Sequence, residues 1–404
     1  MADEIETWHL PGLEDPFSGG VQRGRTPSGT GFRAPRLGGE RAGAVADAVR
    51  RAALEARRSR SVEEVAGAAA RAALRLTDPE SDAGRRAVGV LRAELGWTEA
   101  LARETLDGMA EVWRKEALLG VVSSELGDPA VLDGWRRAPT GDGSPRRRRA
   151  SGPPLLFVVH AGNVPGVAVT AALRGLLVRS GVLCKAPASE PGLLALFARE
   201  LTRVDPLLGR SLAVTWWPGG EAPEVARAWT GRAGKVVLYG GEEAVNAYRG
   251  SLDAHRDLVV YGPKVGLGAV LPDAARTGQG ADALARDVCA YEQAGCVSPR
   301  VVYVVGDDPA GWAESLAAGL EAETARRPPP SPAPGEAVAI REVRAEAEFG
   351  GYAGDATAPG LLADPEGLAW TVLVGGDPAP RTAGLPRVVR IHGVGSVAEL
   401  EELF

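Results

Sequence analysis

Residues 155–187 read LLFVVHAGNVPGVAVTAALRGLLVRSGVLCKAP. The stretch opens on the apolar run LLFVVH (155–160) and turns through Ala161-Gly162-Asn163-Val164-Pro165. It then passes along a helical segment from Val167 to Arg179 and closes on a second apolar run, GVLCKA (181–186). Neither run alternates apolar with polar residues, so both are expected to be covered on two faces, as strands of a parallel sheet are. A strand, a crossover helix and a second parallel strand make a right-handed unit.

The same texture continues outward. SLAVTWW (211–217), KVVLYG (235–240) and LVVYG (258–262) read as further buried strands, with helices expected over Pro191 to Val204 and Ala222 to Thr230. Beyond them come a helix from Gly280 to Gln293, a strand at VVYVVG (301–306) and a helix from Ala310 to Arg326. The proline stretch PPPSPAP (328–334), a helix over 336–349, strands at WTVLVG (370–375) and RVVRIH (387–392), and a short helix from Ser396 follow. On the amino-terminal side, Ser61 and Glu64 form a capping box before AGAAARAALRL, and the pattern stays helical from Ala42 to about Arg137. The fold class is therefore α/β: open, mainly parallel sheets preceded by a helical region. Four segments are expected: a flexible leader over 1–40, a helical region over 41–150, an α/β domain over 151–270 and a second α/β domain over 271–404. The leader is rich in Gly, Pro and Arg without apolar periodicity and is expected to be at most loosely docked.

Composition limits the functions. With 404 residues, 24% charged and a net charge of −6, the chain lacks the basic footprint that nucleic acid or an anionic membrane surface requires. Its one basic cluster, Arg146 to Arg149, sits in a Gly/Ser/Pro-rich stretch and is read as a solvated linker. No apolar run approaches the roughly 18 to 20 residues of a membrane span, and a cytoplasmic location is expected. Three cysteines, Cys184, Cys289 and Cys296, cannot all pair, so reduced thiols are expected. No metal site is expected.

In open parallel sheets, ligands bind beyond the carboxyl ends of the strands, so the residues after each apolar run carry the chemistry. Asn163 stands in the turn after LLFVVH, either as a structural Asx turn or as a donor to a developing oxyanion. Lys185, after GVLC, can meet a ribose or a phosphate. Gly240 and Gly241 precede a helix and let the backbone approach a pyrophosphate. Cys296 follows glycine in EQAGCVSP, between a helix and a strand, where a thiolate can attack a carbonyl; a buried cysteine would instead be inert.

In this order HAGNVP, CKAP, VVLYGGEEAV, YGPKVGLGAV and DVCAYEQAGCVSPRVVYV resemble the acyl-CoA reductase (LuxC-like) branch of the aldehyde dehydrogenase superfamily. The resemblance runs from about residue 60 to 403 and includes ELGWTEALARETLDGMAEVW, ELGDPAVLDGW and EAVAIREVRAEAEF. It implies an aldehyde-dehydrogenase-like fold with a nicotinamide-cofactor domain over 151–270 and a catalytic domain over 271–404.

The resemblance also implies roles. Cys296 takes the nucleophile's place and Asn163 that of the oxyanion-hole asparagine, while Lys185, Ser189, Gly240 and Gly241 fall among the cofactor contacts. Cys289 matches no such role and is read as packing, and His160 is not assigned as a general base. Relatives that prefer NAD place a glutamate a few residues after the lysine. Here Ala188 and Ser189 fill that place and Glu190 lies just beyond, so NADPH is the expected donor, with NADH the alternative. Val260 stands where hydrolytic members carry a water-activating glutamate, which favours reduction of a thioester over its hydrolysis.

The implied activity is NAD(P)H-dependent reduction of an acyl-CoA, a fatty acyl-CoA in the first place, to the aldehyde; an acyl-protein is the other carrier left open, and an acyl-protein synthetase and an acyltransferase are partners by resemblance. Two other readings stay open: an acylating aldehyde dehydrogenase working on a short or unusual acyl group, and a truncated, non-catalytic homologue that binds a partner. The chain stops at Phe404, earlier than is usual in the family, which leaves homo-oligomerisation open.

Overall fold

In a computed structural model, the described residues are 5–138, 146–250, 252, 257–306, 308–355, 357–376 and 384–403. The chain divides into two compact units, Met1–Gly262 and Pro263–Phe404.

The first unit begins with a hairpin of β1 (Val21–Arg25) and β2 (Gly31–Pro35). Five helices follow: α1 (Gly39–Ser59), α2 (Val62–Thr77), α3 (Asp82–Leu95), α4 (Glu99–Trp113) and α5 (Lys115–Leu126). The capping box at α2 is present, with Ser61 Oγ accepting from Glu64 N at 3.2 Å and Glu64 Oε2 accepting from Ser61 N at 2.7 Å. A short antiparallel pair comes next, β3 (Arg136–Ala138) with β4 (Arg146–Arg148). The expected linker thus contains a strand, with Arg146, Arg147 and Arg149 exposed.

The central sheet of this unit is built from β5 (Leu155–Val159), α6 (Val167–Leu177), β6 (Gly181–Lys185), α7 (Gly192–Val204), α8 (Pro206–Arg210) and β7 (Leu212–Thr215). It continues with α9 (Pro223–Thr230), β8 (Lys235–Tyr239), α10 (Glu242–Arg249) and β9 (Asp257–Tyr261). The strand order is β7-β6-β5-β8-β9, every neighbouring pair parallel. The chain winds outward from β5 and then restarts on its other side at β8. The switch between β5 and β8 opens a crevice at their carboxyl ends, as such sheets do.

Leu155, Phe157, Val159, Val236 and Leu238 pack with Val45, Val49 and Trp229 of α1 and α9 in the core beneath that crevice. The helical region is stapled to the sheet by the buried Arg179, which donates to Leu132 O at 3.0 Å, to Asp133 Oδ1 at 2.6 Å, and to the carbonyls of Arg57 and Arg60.

The leader departs from expectation. Ile5, Leu10, Phe32, Ala34 and Leu37 are buried, and Phe32 sets its edge on Trp216 at 4.8 Å. His9 exchanges two backbone hydrogen bonds with Val214, at 2.8 and 2.7 Å, covering the outer edge of β7. An exposed parallel edge would offer unpaired backbone groups, and His9 pairs with that edge at Val214 in place of solvent.

The second unit runs β10 (Gly266–Val270), α11 (Pro272–Thr277), α12 (Ala281–Cys289), β11 (Pro299–Val305), α13 (Pro309–Arg326) and α14 (Pro334–Ala353). It ends with β12 (Gly360–Ala363), β13 (Thr371–Val374), β14 (Val388–Val394) and α15 (Val397–Glu402). Its sheet is ordered β10-β11-β14-β13-β12, parallel except for the antiparallel β12 at the edge. Val302, Val304, Val372, Val389 and Ile391 pack on one face with Trp312, Leu316 and Leu320 of α13.

Two boundaries differ from the sequence reading. The division falls at Gly262/Pro263 and not at 270/271, because β10 pairs with β11 in the second sheet. The helix read from Gly280 to Gln293 ends at Cys289, beyond which Tyr291, Glu292 and Gln293 all take left-handed backbone angles. Among the described residues, no helix is long and apolar enough to cross a membrane.

Candidate active site

The first unit gathers five of the six expected site residues around the carboxyl ends of β5, β6 and β8. Asn163 is exposed in the loop between β5 and α6. That loop is tied to the one after β6, because Ser189 Oγ donates to Gly162 O at 2.7 Å. Gly162 has to be glycine: a Cβ there would collide with Ser189 Oγ and come within 2.8 Å of Pro187 Cβ. Ser189 therefore sets the position of the Asn163 loop, a role its sequence context did not suggest.

Lys185 ends β6 half-buried, with Nζ 5.3 Å from the centre of the Trp217 ring. Burial pushes its ammonium down to about 8; the indole face offers a cation partial compensation for lost water. Gly241 caps α10 on an exposed turn where a Cβ would meet nothing within 4 Å. Gly240 bonds back through its N–H to Tyr261 O at 3.2 Å. The open first turn of α10 leaves backbone N–H groups without intrahelical partners, which is the chemistry of an anion cradle.

His160, three residues before Asn163, is buried. Its ring stacks on Tyr239 at 6.2 Å, and Tyr239 stacks on Tyr261 at 4.7 Å. Burial, and then the Lys185 charge, pushes its imidazole down to about 3, so it is neutral at ordinary pH. Neither ring nitrogen has a partner among the described residues.

Glu190 is also sealed: its Oε2 accepts from Gly166 N at 3.2 Å and burial pushes its carboxyl up to about 8. Ala188 is exposed and Ser189 half-exposed, so the surface after Lys185 carries no anion.

The second unit carries Cys296. Of the three cysteines it is the exposed one. Cys184 lies inside β6 with its thiol pushed far up by burial, and Cys289 sits in the core with its thiol pushed up to about 11. A thiol reacts as its thiolate and needs access, which confines reactivity to Cys296.

The Cys296 loop has an unusual approach. Tyr291, Glu292 and Gln293 hold φ of 52°, 53° and 61° in succession, each costing about 1 kcal/mol or more for a residue with a side chain. Gln293 is fully buried; its Nε2 donates to Pro299 O at 2.7 Å and to Val388 O at 3.1 Å, and its Oε1 accepts from Val388 N at 3.0 Å. Glu292 pairs with Arg387 at 2.8 Å. Burial still raises the Glu292 carboxyl, outweighing the attraction of that guanidinium. Arg387 itself is 1% exposed, with φ of 49°, and also donates to Thr324 Oγ1 and Arg327 O. The Val388 and Arg387 partners were not legible beforehand, since 95 residues separate each from its mate.

Comparison with solved structures defines the class. A benzaldehyde dehydrogenase from Corynebacterium glutamicum matches all of this chain and 87% of its own with a TM-score of 0.75 at 15% identity. A salicylaldehyde dehydrogenase from Pseudomonas putida G7 matches 98% of this chain and 82% of its own with a TM-score of 0.73 at 14% identity. The chain therefore has the aldehyde dehydrogenase fold. Residues 58–403 match the family model described as acyl-CoA reductase (LuxC), and the chain belongs to that family.

Among characterised relatives, a long-chain acyl-protein thioester reductase of Aliivibrio fischeri is 27% identical over 315 residues, covering 77% of this chain. Another of that name from Vibrio harveyi is 30% identical over 218 residues, covering 53%. The matches span 62% and 44% of those relatives' own lengths.

Proposed function

We propose that this protein reduces a fatty acyl thioester to the aldehyde, passing the acyl group through a thioester on Cys296. The observation that carries the reading is the exposed Cys296 thiol, held on a strained, internally braced loop while both other cysteines are buried.

In the first half-reaction the Cys296 thiolate attacks the carbonyl carbon, Asn163 donates to the oxygen as it becomes negative, and the carrier's sulfur leaves as a thiol once protonated. In the second, the Cys296 thioester is reduced to a thiohemiacetal. Its oxygen loses a proton, the carbon–sulfur bond breaks, and aldehyde and thiolate separate. Val260 offers no base to activate water, so the acyl group is kept from hydrolysis.

The residues at the crevice fit a nicotinamide dinucleotide: Lys185 for the adenosine ribose and its phosphate, and the Gly240–Gly241 turn for the pyrophosphate. When bound, the cofactor supplies the hydride. NADPH is the proposed donor, because Glu190 is protonated and sealed at neutral pH and nothing after Lys185 repels a 2′-phosphate. The carrier is coenzyme A or a protein thiol; an acyl-protein synthetase and an acyltransferase are the partners proposed from the family resemblance. A reducing compartment such as the cytoplasm keeps the thiol competent.

The test follows NADPH and NADH oxidation with acyl-CoA of increasing chain length and with an acylated protein thiol. Cys296→Ser is expected to abolish turnover and Cys289→Ser to retain it within a few-fold. Turnover surviving in Cys296→Ser sinks the mechanism.

A further inference from the structure

Cys296 is the midpoint of a seven-residue loop, and the ends of that loop are joined by one side chain. Gln293 stands three residues before the thiol and Pro299 three after, and Gln293 Nε2 donates to Pro299 O at 2.7 Å. Inside this ring, Ser298 N donates to Gly295 O at 3.1 Å, and just beyond it Arg300 Nη2 donates back to Gln293 O at 3.0 Å. The same amide bonds both backbone groups of Val388, the first residue of β14. One residue earlier on each side, Glu292 and Arg387 form a buried ion pair.

The arrangement is a clip of two adjacent rungs, Glu292 to Arg387 and Gln293 to Val388. It fastens the entry of the Cys296 loop to a sheet strand. The clip has work to do, because three successive left-handed residues with side chains relax to ordinary angles unless their surroundings over-determine them. A buried amide with all three of its bonds in place supplies such a constraint, and a half-satisfied one does not.

We propose that Gln293 and Arg387 are positioning residues for the Cys296 thiol: the Gln293 amide closes the loop that presents it, and Arg387 holds the left-handed turn through Glu292. The inference rests on Cys296 being the nucleophile. A displacement of about 1 Å at a reacting atom costs about a hundredfold in rate, so the effect belongs in kcat and not in substrate binding.

The experiment uses the full chain in a Cys289→Ser background, because Cys289 and Cys296 share the peptide between Arg286 and Arg300. Gln293→Met keeps the volume and removes the bonds. Arg387→Lys keeps the charge beside Glu292 but loses the fork that also reaches Thr324 and Arg327, and serves if Gln293→Met does not fold. Each variant is compared with the parent, well below its melting temperature, for kcat, KM and the rate of iodoacetamide alkylation at Cys296.

The expected result is a kcat lowered about ten- to a hundredfold with KM within about threefold, together with an altered alkylation rate. Wild-type kcat and alkylation in a folded variant whose melting temperature alone has fallen would overturn the proposal. So would a lowered kcat with unaltered alkylation, since the thiol would not have moved. Turnover surviving in Cys296→Ser would remove the reaction scheme instead, and alkylation would still report whether the clip sets the thiol.

Discussion

At the scale of single residues, burial decides which groups are charged. Glu190 reads as an anion in the sequence, but its carboxyl is sealed against Gly166 and pushed up to about 8, and the neighbouring Glu94 is raised well above its usual range by burial and by Glu190. A carboxyl whose folded value lies above its unfolded value holds a proton that the unfolded chain has already released. Its contribution to stability is complete below about pH 4.5 and is lost as pH rises through about 8. For Glu190 this amounts to a few kcal/mol at most, on the order of 1.4 kcal/mol per pH unit crossed. Glu190→Gln keeps the acceptor for Gly166 N and cannot ionise, so it is expected to melt about 3 °C or more above wild type at pH 9 and close to it at pH 5. Parallel melting curves across that range would show that ionisation of Glu190 carries no cost.

At the scale of elements, the crevice of the first sheet depends on how two loops meet. The turn after β5 and the turn after β6 touch where Ser189 Oγ donates to Gly162 O, with no room for a Cβ on Gly162. Gly162→Ala is therefore expected to displace the Asn163 loop, lowering kcat about tenfold or more while the cofactor still binds. Nucleotide titration beside steady-state kinetics checks this, and an unchanged kcat would show that the loops yield freely. The strands around this crevice were legible as apolar runs, and the Ser61–Glu64 capping box was legible from spacing. The helix expected to reach Gln293 was not: nothing in AYEQAG marks a left-handed run, which tertiary bonds from Val388 and Arg387 impose.

At the scale of the whole molecule, the leader is part of the first unit. Its apolar residues, Ile5, Leu10, Phe32 and Leu37, have no regular spacing, so no helix or strand pattern announced them. Leu10 and Leu37 join the core with Val45 and Val49 of α1, Phe32 lies on Trp216 and Ile5 lies against Gly192 at the start of α7; burial of such side chains contributes about 1.5–3 kcal/mol apiece. Deleting residues 1–37 is expected to lower the melting temperature by about 10 °C or more, or to leave the protein aggregated, because a sheet edge and a core face are uncovered together. A truncated chain that melts with wild type would mean that the leader lies on the surface without adding to its stability.

The sequence by itself determined the α/β class, most strands and helices, and the family, because parallel strands buried on both faces are continuous apolar runs and the residues after them are local motifs. It also determined which residues to suspect, Asn163, Lys185, Ser189, Gly240, Gly241 and Cys296. Only the tertiary structure decided that the leader is core, that β10 belongs to the second sheet, and that Ser189 ties two loops. It also decided that Cys296 alone among the cysteines is exposed and that Gln293 and Arg387 brace its loop. The physical reason is common to these cases: burial and hydrogen-bond partnership are set by residues distant along the chain, and no local periodicity records them.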